Sequence, residues 1–225
     1  PEPEPEPEPE PKLESIWIQL GGDIDGEAAD DKSGYSVALS ADGTIVAIGA
    51  ELNDGNVDNS GHVRVYQYDA GKDIISTDQS SADFGPVGWR RLGHDIDGEA
   101  AGDQSGWSVA LSADGTIVAI GARYNDGITG SDSDNRGHVR VYEWSNNSWS
   151  QLGGDIDGEA VWDESGFSVA LSADGKIVAI GASTNDDNGS NSGHVRVWEY
   201  SNDTWSKLGG DIYGEAKYDF SGCSV

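Results

Sequence analysis

The segment 105–122 reads SGWSVALSADGTIVAIGA, and close copies of it start at Ser33 and Ser165. Each copy holds two apolar runs, SVALS and TIVAIGA or KIVAIGA, separated by the turn residues ADG, and this pattern predicts a tight β-hairpin. Neither run alternates cleanly between polar and apolar residues. Both faces of the hairpin are therefore expected to be covered by other parts of the protein.

The repeated unit extends beyond the hairpin on both sides. A third strand-like run, GHVRVYQY, GHVRVYEW or GHVRVWEY, starts at Gly61, Gly137 and Gly193. A run of the type WxxLG, followed by an acidic link of the type DIDGEA, starts at Trp17, Trp89, Trp149 and Trp205. Four-stranded sheets with buried inner strands, stacked face to face, are propeller blades. We therefore predict an all-β fold of β-propeller-type blades with four antiparallel strands each. A β-sandwich would need alternating patterns in most strands.

The repeats divide the chain into a spacer and an array. Residues 1–14 begin with PEPEPEPEPEP, which predicts a stiff Pro-Glu linker, although a disordered tail without a role is an equal alternative. The predicted array of 15–225 is made of these parts: an outer strand at 15–22, units at about 33–92, 105–152 and 165–208, and a partial fourth unit at 211–225. Propeller closure typically takes roughly 4 to 8 blades, so these three complete repeats are expected to form an incomplete, open propeller.

The open arc and the charge of the chain bear on its partners. Exposed blade faces are expected either to self-associate or to pack on further repeats outside this sequence, and the absence of methionine predicts that the true start was removed. The formal charge of −28, from 41 acidic and 13 basic residues, repels nucleic acid and anionic membranes. No apolar run approaches the roughly 20 residues of a membrane span, so no membrane insertion is predicted. Proteins with basic patches, neutral glycans and cations remain as partners.

The order of the motifs, SG-aromatic-SVA, then VAIGA, then GHVRVY, resembles the FG-GAP repeat of the integrin alpha propeller. Tyr35, Trp107 and Phe167 stand at the first aromatic of that repeat, and its GA stands at Gly49-Ala50, Gly121-Ala122 and Gly181-Ala182. The resemblance implies a β-propeller, an extracellular or cell-surface location, and ligand recognition by one face of loops. The calcium loop of that family does not carry over, because each hairpin here keeps a single aspartate, Asp42, Asp114 or Asp174.

A different acidic cluster recurs in the links between units. Its members are Asp23, Asp25 and Asp31, then Asp95, Asp97 and Asp103, then Asp155, Asp157 and Asp163. Alternating aspartates before a glycine place oxygen ligands on a bend, which suits Ca²⁺. Aspartates also stabilise turns by accepting backbone N–H bonds, and Tyr213 replaces the middle aspartate in the fourth copy. A calcium site and a set of turns are both open interpretations, and no other cofactor is predicted.

The histidines do not predict a catalytic centre. His62, His138 and His194 occupy the same place in every unit, and a residue repeated in each blade usually has one structural role. The arginines two positions later, Arg64, Arg140 and Arg196, are expected to pair with aspartates of adjacent strands or blades. The tryptophans that start the outer strands are expected to pack between blades. No catalytic residue is predicted, and the chain is not expected to be an enzyme.

Three functions fit these observations. The first is a non-catalytic extracellular or cell-surface module that binds or adheres to a protein or glycan through an acidic face of loops, with calcium as a candidate aid. That face would consist of the DIDGEA links and the loops after VAIGA, because connections at the same end of a blade lie together. The alternatives are a purely structural spacer array and a non-catalytic part of a larger secreted enzyme.

Overall fold

The computed structural model describes residues 17–79, 81, 83–127 and 134–225. The Pro-Glu linker predicted at 1–14 lies outside these ranges. The named elements of the described part are β-strands, arranged in three separate antiparallel sheets. No helix among the described residues is long and apolar enough to cross a membrane. The predicted all-β fold of open, propeller-like blades is confirmed.

Each sheet is built from one copy of the repeat. The first sheet contains β1 (Ser33–Leu39), β2 (Ile45–Ala50), β3 (His62–Tyr68), β4 (Trp89–Arg91) and β5 (Ile96–Asp97). The second contains β6 (Ser108–Leu111), β7 (Ile117–Ala122), β8 (His138–Ser145), β9 (Ser148–Gln151) and β10 (Ile156–Asp157). The third contains β11 (Ser168–Leu171), β12 (Ile177–Ala182), β13 (His194–Ser201), β14 (Thr204–Lys207) and β15 (Ile212–Tyr213). In every sheet the strands pair in the order first, second, third and outer.

The outer strand of each sheet is interrupted. In the first sheet, β4 pairs with one end of β3 through Tyr66 and Arg91, and β5 pairs with the other end through Val63 and Ile96. The four residues 92–95 therefore face only two residues of β3, which makes this stretch a bulge with two extra residues. The sequence predicted the short WxxLG strand but not its continuation past the bulge. Residues 17–22, the described part of the outer strand predicted at 15–22, form no strand.

The hairpin turns are held by side chains. In the second sheet the Asp114 carboxylate accepts hydrogen bonds from the Ser112 hydroxyl at 2.7 Å and from the Thr116 backbone N–H at 3.0 Å. The Ser112 hydroxyl oxygen in turn accepts the Ile117 N–H at 2.9 Å. Asp42 and Asp174 make the equivalent bonds in the other sheets. These bonds explain why the motif SADG recurs in all three hairpins.

The two larger hydrophobic clusters lie between consecutive sheets, and a smaller one lies against the first sheet. Ile45, Val63 and Val65 of the first sheet pack with Val118 and Ile120 of the second. A second cluster joins the second and third sheets in the same way. Each sheet therefore depends on its neighbour to bury its apolar residues, as in other repeat proteins.

The indole rings confirm the predicted packing between blades. The Trp149 indole N–H donates to the Leu92 carbonyl of the preceding sheet at 2.8 Å, and Trp205 donates to the Leu152 carbonyl at 2.7 Å. Trp89 makes the same bond to the Leu20 carbonyl at 3.1 Å. The prediction is wrong for Trp17, whose surface is 98% exposed.

Candidate functional site

One end of the three sheets carries an ordered face of loops. The loop after β2 bonds to the link that follows the same sheet: the Gly102 N–H donates to the Asp58 carbonyl at 3.0 Å, and the Ser105 N–H donates to the Ser60 carbonyl at 2.9 Å. The same pattern joins Trp162 to Asp134. We call this end the loop face; its described parts are 53–60, 98–105, 125–127, 134–136, 158–165, 185–192 and 214–221. The predicted convergence of links and loops at one end is therefore present.

The loop face bears an exposed aromatic residue that the sequence analysis did not single out. Trp162 is 55% exposed, although complete sheets stand on both sides of it. Its φ of 66° lies in the left-handed region, which bulky residues rarely adopt. The equivalent positions in the other links are Asp30, Gly102 and Tyr218, also with positive φ, and Tyr218 is a second exposed aromatic residue of the loop face. A tryptophan where another copy of the repeat has glycine was the sequence signal for this residue.

The nine aspartates predicted as calcium ligands divide into three sets with different surroundings. The last aspartate of each link is buried and bonded to an asparagine of the loop after the second strand, and in the second and third of these links also to a backbone N–H of its own turn. Asp103 accepts from the Ala100 N–H at 3.0 Å and from the Asn125 side chain at 3.1 Å. Asp163 makes the equivalent bonds, and Asp31 accepts from Asn53. Burial raises the pKa of Asp103 and of Asp163 despite these bonds.

The middle aspartates, Asp97 and Asp157, lie on the two-residue strands β5 and β10. Burial, and then the neighbouring charge of Asp95 or Asp155, raises the pKa of each of them. The corresponding Asp25 lines a cavity of about 550 Å³ in the first repeat, together with Asp23 and Arg64.

The first aspartate of a link can lie in a cluster with a glutamate and a histidine. Among the described residues, three sets of one glutamate, one histidine and one aspartate have ligand atoms within 4.8 Å of one another. We call them group 1 (Glu27, His62 and Asp95), group 2 (Glu99, His138 and Asp155) and group 3 (Glu159, His194 and Asp211). The glutamate comes from the link before the sheet, the histidine from its third strand, and the aspartate from the bulge in its outer strand. Of the nine predicted aspartates, Asp95 and Asp155 belong to these groups.

The carboxylates of group 1 form ion pairs with two arginine side chains. Arg64 forms a two-pronged pair with Asp95, with both nitrogen–oxygen distances at 2.8 Å, and also contacts Glu27. Arg91 contacts Asp95 at 2.7 Å. Burial disfavours the charged carboxylate, but the bonds from Arg64 hold the pKa of Asp95 below its ordinary value. The predicted pairing of arginine with aspartate is confirmed in this repeat.

Groups 2 and 3 have fewer direct contacts between arginine and aspartate. Arg140 lies 3.4 Å from Oε1 of Glu99 and donates to the Asp97 carbonyl at 2.7 Å. Arg196 lies 3.3 Å from Glu159 and donates to the Asp157 carbonyl at 2.8 Å. In these repeats the arginines pair with glutamate side chains and with backbone carbonyls.

The histidines of the last two groups are buried. His138 is 1% exposed, and its Nε2 has no hydrogen-bond partner among the described residues. Both ring nitrogens of His194 lack such a partner as well. Burial, reinforced by the adjacent arginine, lowers the pKa of each of these histidines. The rings are therefore neutral at pH 7, which is the form that can ligate a metal ion.

The repeat that builds these groups is recognised by a family model. The model described as "FG-GAP repeat" matches residues 24–66, 96–142 and 156–198, together more than half of the 225 residues. The chain belongs to the FG-GAP repeat family. Each FG-GAP match begins in the acidic link and ends in the third strand, and the second and third matches therefore start with the residues that form β5 and β10 of the preceding sheet. FG-GAP repeats typically occur in extracellular or cell-surface proteins.

Two solved structures are weakly similar to the chain. One is the hydrazine synthase of Kuenenia stuttgartiensis, with 12% identity, a TM-score of 0.40, and coverage of 87% of this chain and 42% of that chain. The other is a putative 6-phosphogluconolactonase from Bacteroides uniformis, with 12% identity, a TM-score of 0.40, and coverage of 84% and 59%. The FG-GAP chain thus spans less than two thirds of either chain, and neither likeness bears on its function. No curated protein matches the chain.

Proposed function

We propose that this FG-GAP chain is a non-catalytic binding module of an extracellular or cell-surface protein, and that its loop face holds a protein or glycan ligand. The observation that carries the proposal is the exposure of Trp162 in the middle of that face. An indole ring offers a flat apolar surface with one hydrogen-bond donor, and such rings are enriched where proteins bind ligands.

The conformation of Trp162 supports a role in binding. A side chain in the left-handed region costs roughly 1–2 kcal/mol relative to the right-handed one, so folding alone gives no reason to keep tryptophan there. The Trp162 N–H donates to the Asp134 carbonyl at 2.8 Å, and the Thr184 hydroxyl donates to the Trp162 carbonyl at 2.7 Å. These bonds hold the backbone of the residue while its ring stays exposed. Backbone strain that persists beside an exposed aromatic ring is typical of binding sites.

The charges on the loop face restrict the ligand. Asp54, Asp58, Asp186 and Asp187 are exposed there, and the whole chain carries a formal charge of −28. Carboxylates accept hydrogen bonds from sugar hydroxyls or from arginine and lysine side chains. A neutral glycan or a basic protein surface satisfies both the ring and the carboxylates, whereas nucleic acid and anionic membranes are repelled.

The test compares the unmodified chain with two tryptophan variants. A glycan array and a pull-down from surface extracts are carried out with Trp162→Gly and with Trp17→Gly. Trp17 is a matched control because it is exposed but lies outside the loop face. We expect Trp162→Gly to lose the retained ligand and Trp17→Gly to keep it. Equal retention by both variants would refute the role of Trp162, and no ligand in any assay would favour the spacer-array alternative.

The same assays with and without Ca²⁺ test the proposed calcium assistance. Asp103 and Asp163 already accept two hydrogen bonds each, one from a backbone N–H of their own turn and one from an asparagine, which leaves fewer oxygen lone pairs for an ion. Retention that depends on Ca²⁺ would support the exposed members of the nine-aspartate set as ligands. Retention that is unchanged by a chelator would show that Ca²⁺ takes no part in binding the ligand.

A further inference from the structure

Group 2 differs from the other two groups in its balance of charge. In group 1, two carboxylates face two guanidinium groups, those of Arg64 and Arg91. In group 3, two carboxylates face Arg196 and Lys207, and Lys207 lies 2.8 Å from Asp211. The residue of group 2 that corresponds to Arg91 and Lys207 is Gln151, which is neutral. Group 2 therefore has two carboxylates against one guanidinium group.

The contacts of group 2 leave ligand atoms available. Arg140 contacts Oε1 of Glu99, whereas Oε2 of Glu99 lies 4.0 Å from Nδ1 of His138. Gln151 donates to one oxygen of Asp155 at 2.7 Å, which leaves the other oxygen of that carboxylate. His138 is buried and makes no hydrogen bond through Nε2 to any described residue. Burying an imidazole nitrogen without a hydrogen-bond partner is unfavourable, and Nδ1, the nitrogen that faces Glu99, is the one placed to bind an ion beside the carboxylates.

We propose that group 2 binds one divalent transition-metal ion of the Zn²⁺ type through Glu99, His138 and Asp155. One imidazole nitrogen and two carboxylate oxygens suit Zn²⁺, Co²⁺ or Ni²⁺, whereas Ca²⁺ prefers six to eight oxygens. Groups 1 and 3 do not bind such an ion, because their carboxylates are already held by cationic side chains. The proposed site is separate from the ligand-binding role of Trp162 and does not depend on it.

The geometry requires only a small contraction. A tetrahedral Zn²⁺ site with metal–ligand distances of about 2.1 Å places ligand atoms roughly 3.4 Å apart. The ligand atoms of group 2 lie within 4.8 Å of one another, so movements of about 1 Å bring them into range. Glu99 and Asp155 are exposed and can make these movements, while His138 is fixed on β8. A water molecule would complete the coordination shell.

The first test is a titration of the full 225-residue chain with Zn²⁺ by calorimetry and with Co²⁺ by absorbance, with Ca²⁺ as the comparison ion. We expect one Zn²⁺ per chain and visible bands typical of tetrahedral Co²⁺. His138→Gln should weaken Zn²⁺ binding by about tenfold or more, since even changes around a metal ligand weaken binding by that factor. His62→Gln and His94→Gln should leave it unchanged. The absence of Zn²⁺ binding, or its loss in either control variant, would overturn the proposal.

The second test changes an exposed residue and therefore avoids an effect on folding. Gln151→Arg gives group 2 the cation of group 1 and should weaken Zn²⁺ binding at least tenfold, whereas Gln151→Glu should strengthen it. Gln67→Arg places the same charge on an exposed residue of the first sheet and should have no effect. Thermal unfolding without metal checks that the variants are folded. Equal affinities for Gln151→Arg and Gln151→Glu would contradict the proposal.

Discussion

The Ser108 hydroxyl donates a hydrogen bond of 2.7 Å to the carbonyl oxygen of Gly166, and this bond ties the first strand of the second sheet to the start of the third repeat. Ser36 and Ser168 make the same bond to Gly106 and Gly222, at 2.6 Å and 2.8 Å. Gly121 lies beside this contact, and a Cβ atom at that position would collide with the Gly166 carbonyl. The SG and GA motifs of the repeat are therefore two halves of one contact between neighbouring blades.

Because of this contact, adding one methyl group at Gly121 should strongly destabilise the protein. Gly121→Ala should lower the free energy of unfolding by about 2 kcal/mol or more, because overpacking alone costs roughly 1–3 kcal/mol and the bond from Ser108 is disturbed as well. Gly154→Ala is the control, since a Cβ at Gly154 meets no atom within 4 Å. Urea unfolding measures both variants. A Gly121→Ala protein as stable as the control would contradict the proposed contact.

Because Trp162 has a positive φ, replacing it by glycine should make the protein more stable. Trp162→Gly should raise the free energy of unfolding by up to about 1 kcal/mol, because glycine adopts a positive φ without the steric cost of a side chain but loses more entropy on folding. The reverse change at the equivalent position, Gly102→Trp, should lower stability. Urea unfolding of the two variants checks the signs. If Trp162→Gly were clearly destabilised, the ring would contribute to packing rather than to binding.

The hairpin turns predict a dependence of stability on pH. Bonds from the Thr116 N–H and the Ser112 hydroxyl lower the pKa of Asp114 below its ordinary value of 3.8. The charged form is thus favoured in the folded state, so its stabilisation is present above that ordinary value and is lost as the pH falls through the lowered pKa. Asp114→Asn should be less stable than the unmodified chain at pH 7, and the difference should shrink below pH 3.8. Thermal unfolding between acid and neutral pH measures this difference in stability. A difference that became larger in acid would contradict the prediction.

Asp103 should have the opposite effect on the dependence of stability on pH. Burial raises the pKa of this carboxyl above 3.8, so its charge opposes folding at neutral pH and is relieved as the pH falls through the raised pKa. Asp103→Asn should therefore lower the stability of the folded state at pH 7 by less than Asp114→Asn does. As the pH falls, the unmodified protein gains stability from protonation of Asp103, and the Asp103→Asn variant lacks this gain. The same thermal series, extended to this variant, measures the effect. Identical pH profiles for the two variants would show that burial of Asp103 has no such influence.

The first sheet predicts self-association of the 225-residue chain. Val37 and Leu39 of β1 are 63% and 62% exposed, whereas their counterparts Val109 and Leu111 in β6 pack against the preceding sheet. Burying such residues contributes about 1.5–3 kcal/mol each, which favours pairing of this surface with another copy. Light scattering after size exclusion should show an oligomer at micromolar concentration that Leu39→Lys disrupts. Ile75→Lys changes an exposed apolar residue elsewhere and should not alter the mass; disruption by both variants would remove the assignment to β1.

Much of the fold was predictable because its signals are local. The ADG turns, the apolar runs on either side of them and the repetition of the unit predicted the hairpins and the stacked sheets. The bulge at 92–95 was not predicted, although Gly93, with a φ of 73°, is a local signal of a bulge. The continuation of the strand beyond it depends on how β3 pairs with both β4 and β5. The exposure of Trp162 was not predicted either, since it depends on neighbouring loops.

In the candidate sites, some facts follow from the sequence and others only from the tertiary structure. The sequence by itself determined that three copies of one unit each carry a histidine, an arginine and an acidic link, since these residues recur at fixed places in the chain. It grouped the aspartates by nearness in sequence, as Asp95, Asp97 and Asp103. Only the tertiary structure decided that Asp155 joins Glu99 and His138 in group 2, while Asp103 and Asp163 close their own turns. The physical reason is that neighbouring residues of an extended strand point to opposite faces, whereas the pairing of sheets and links brings together side chains that are distant in the sequence.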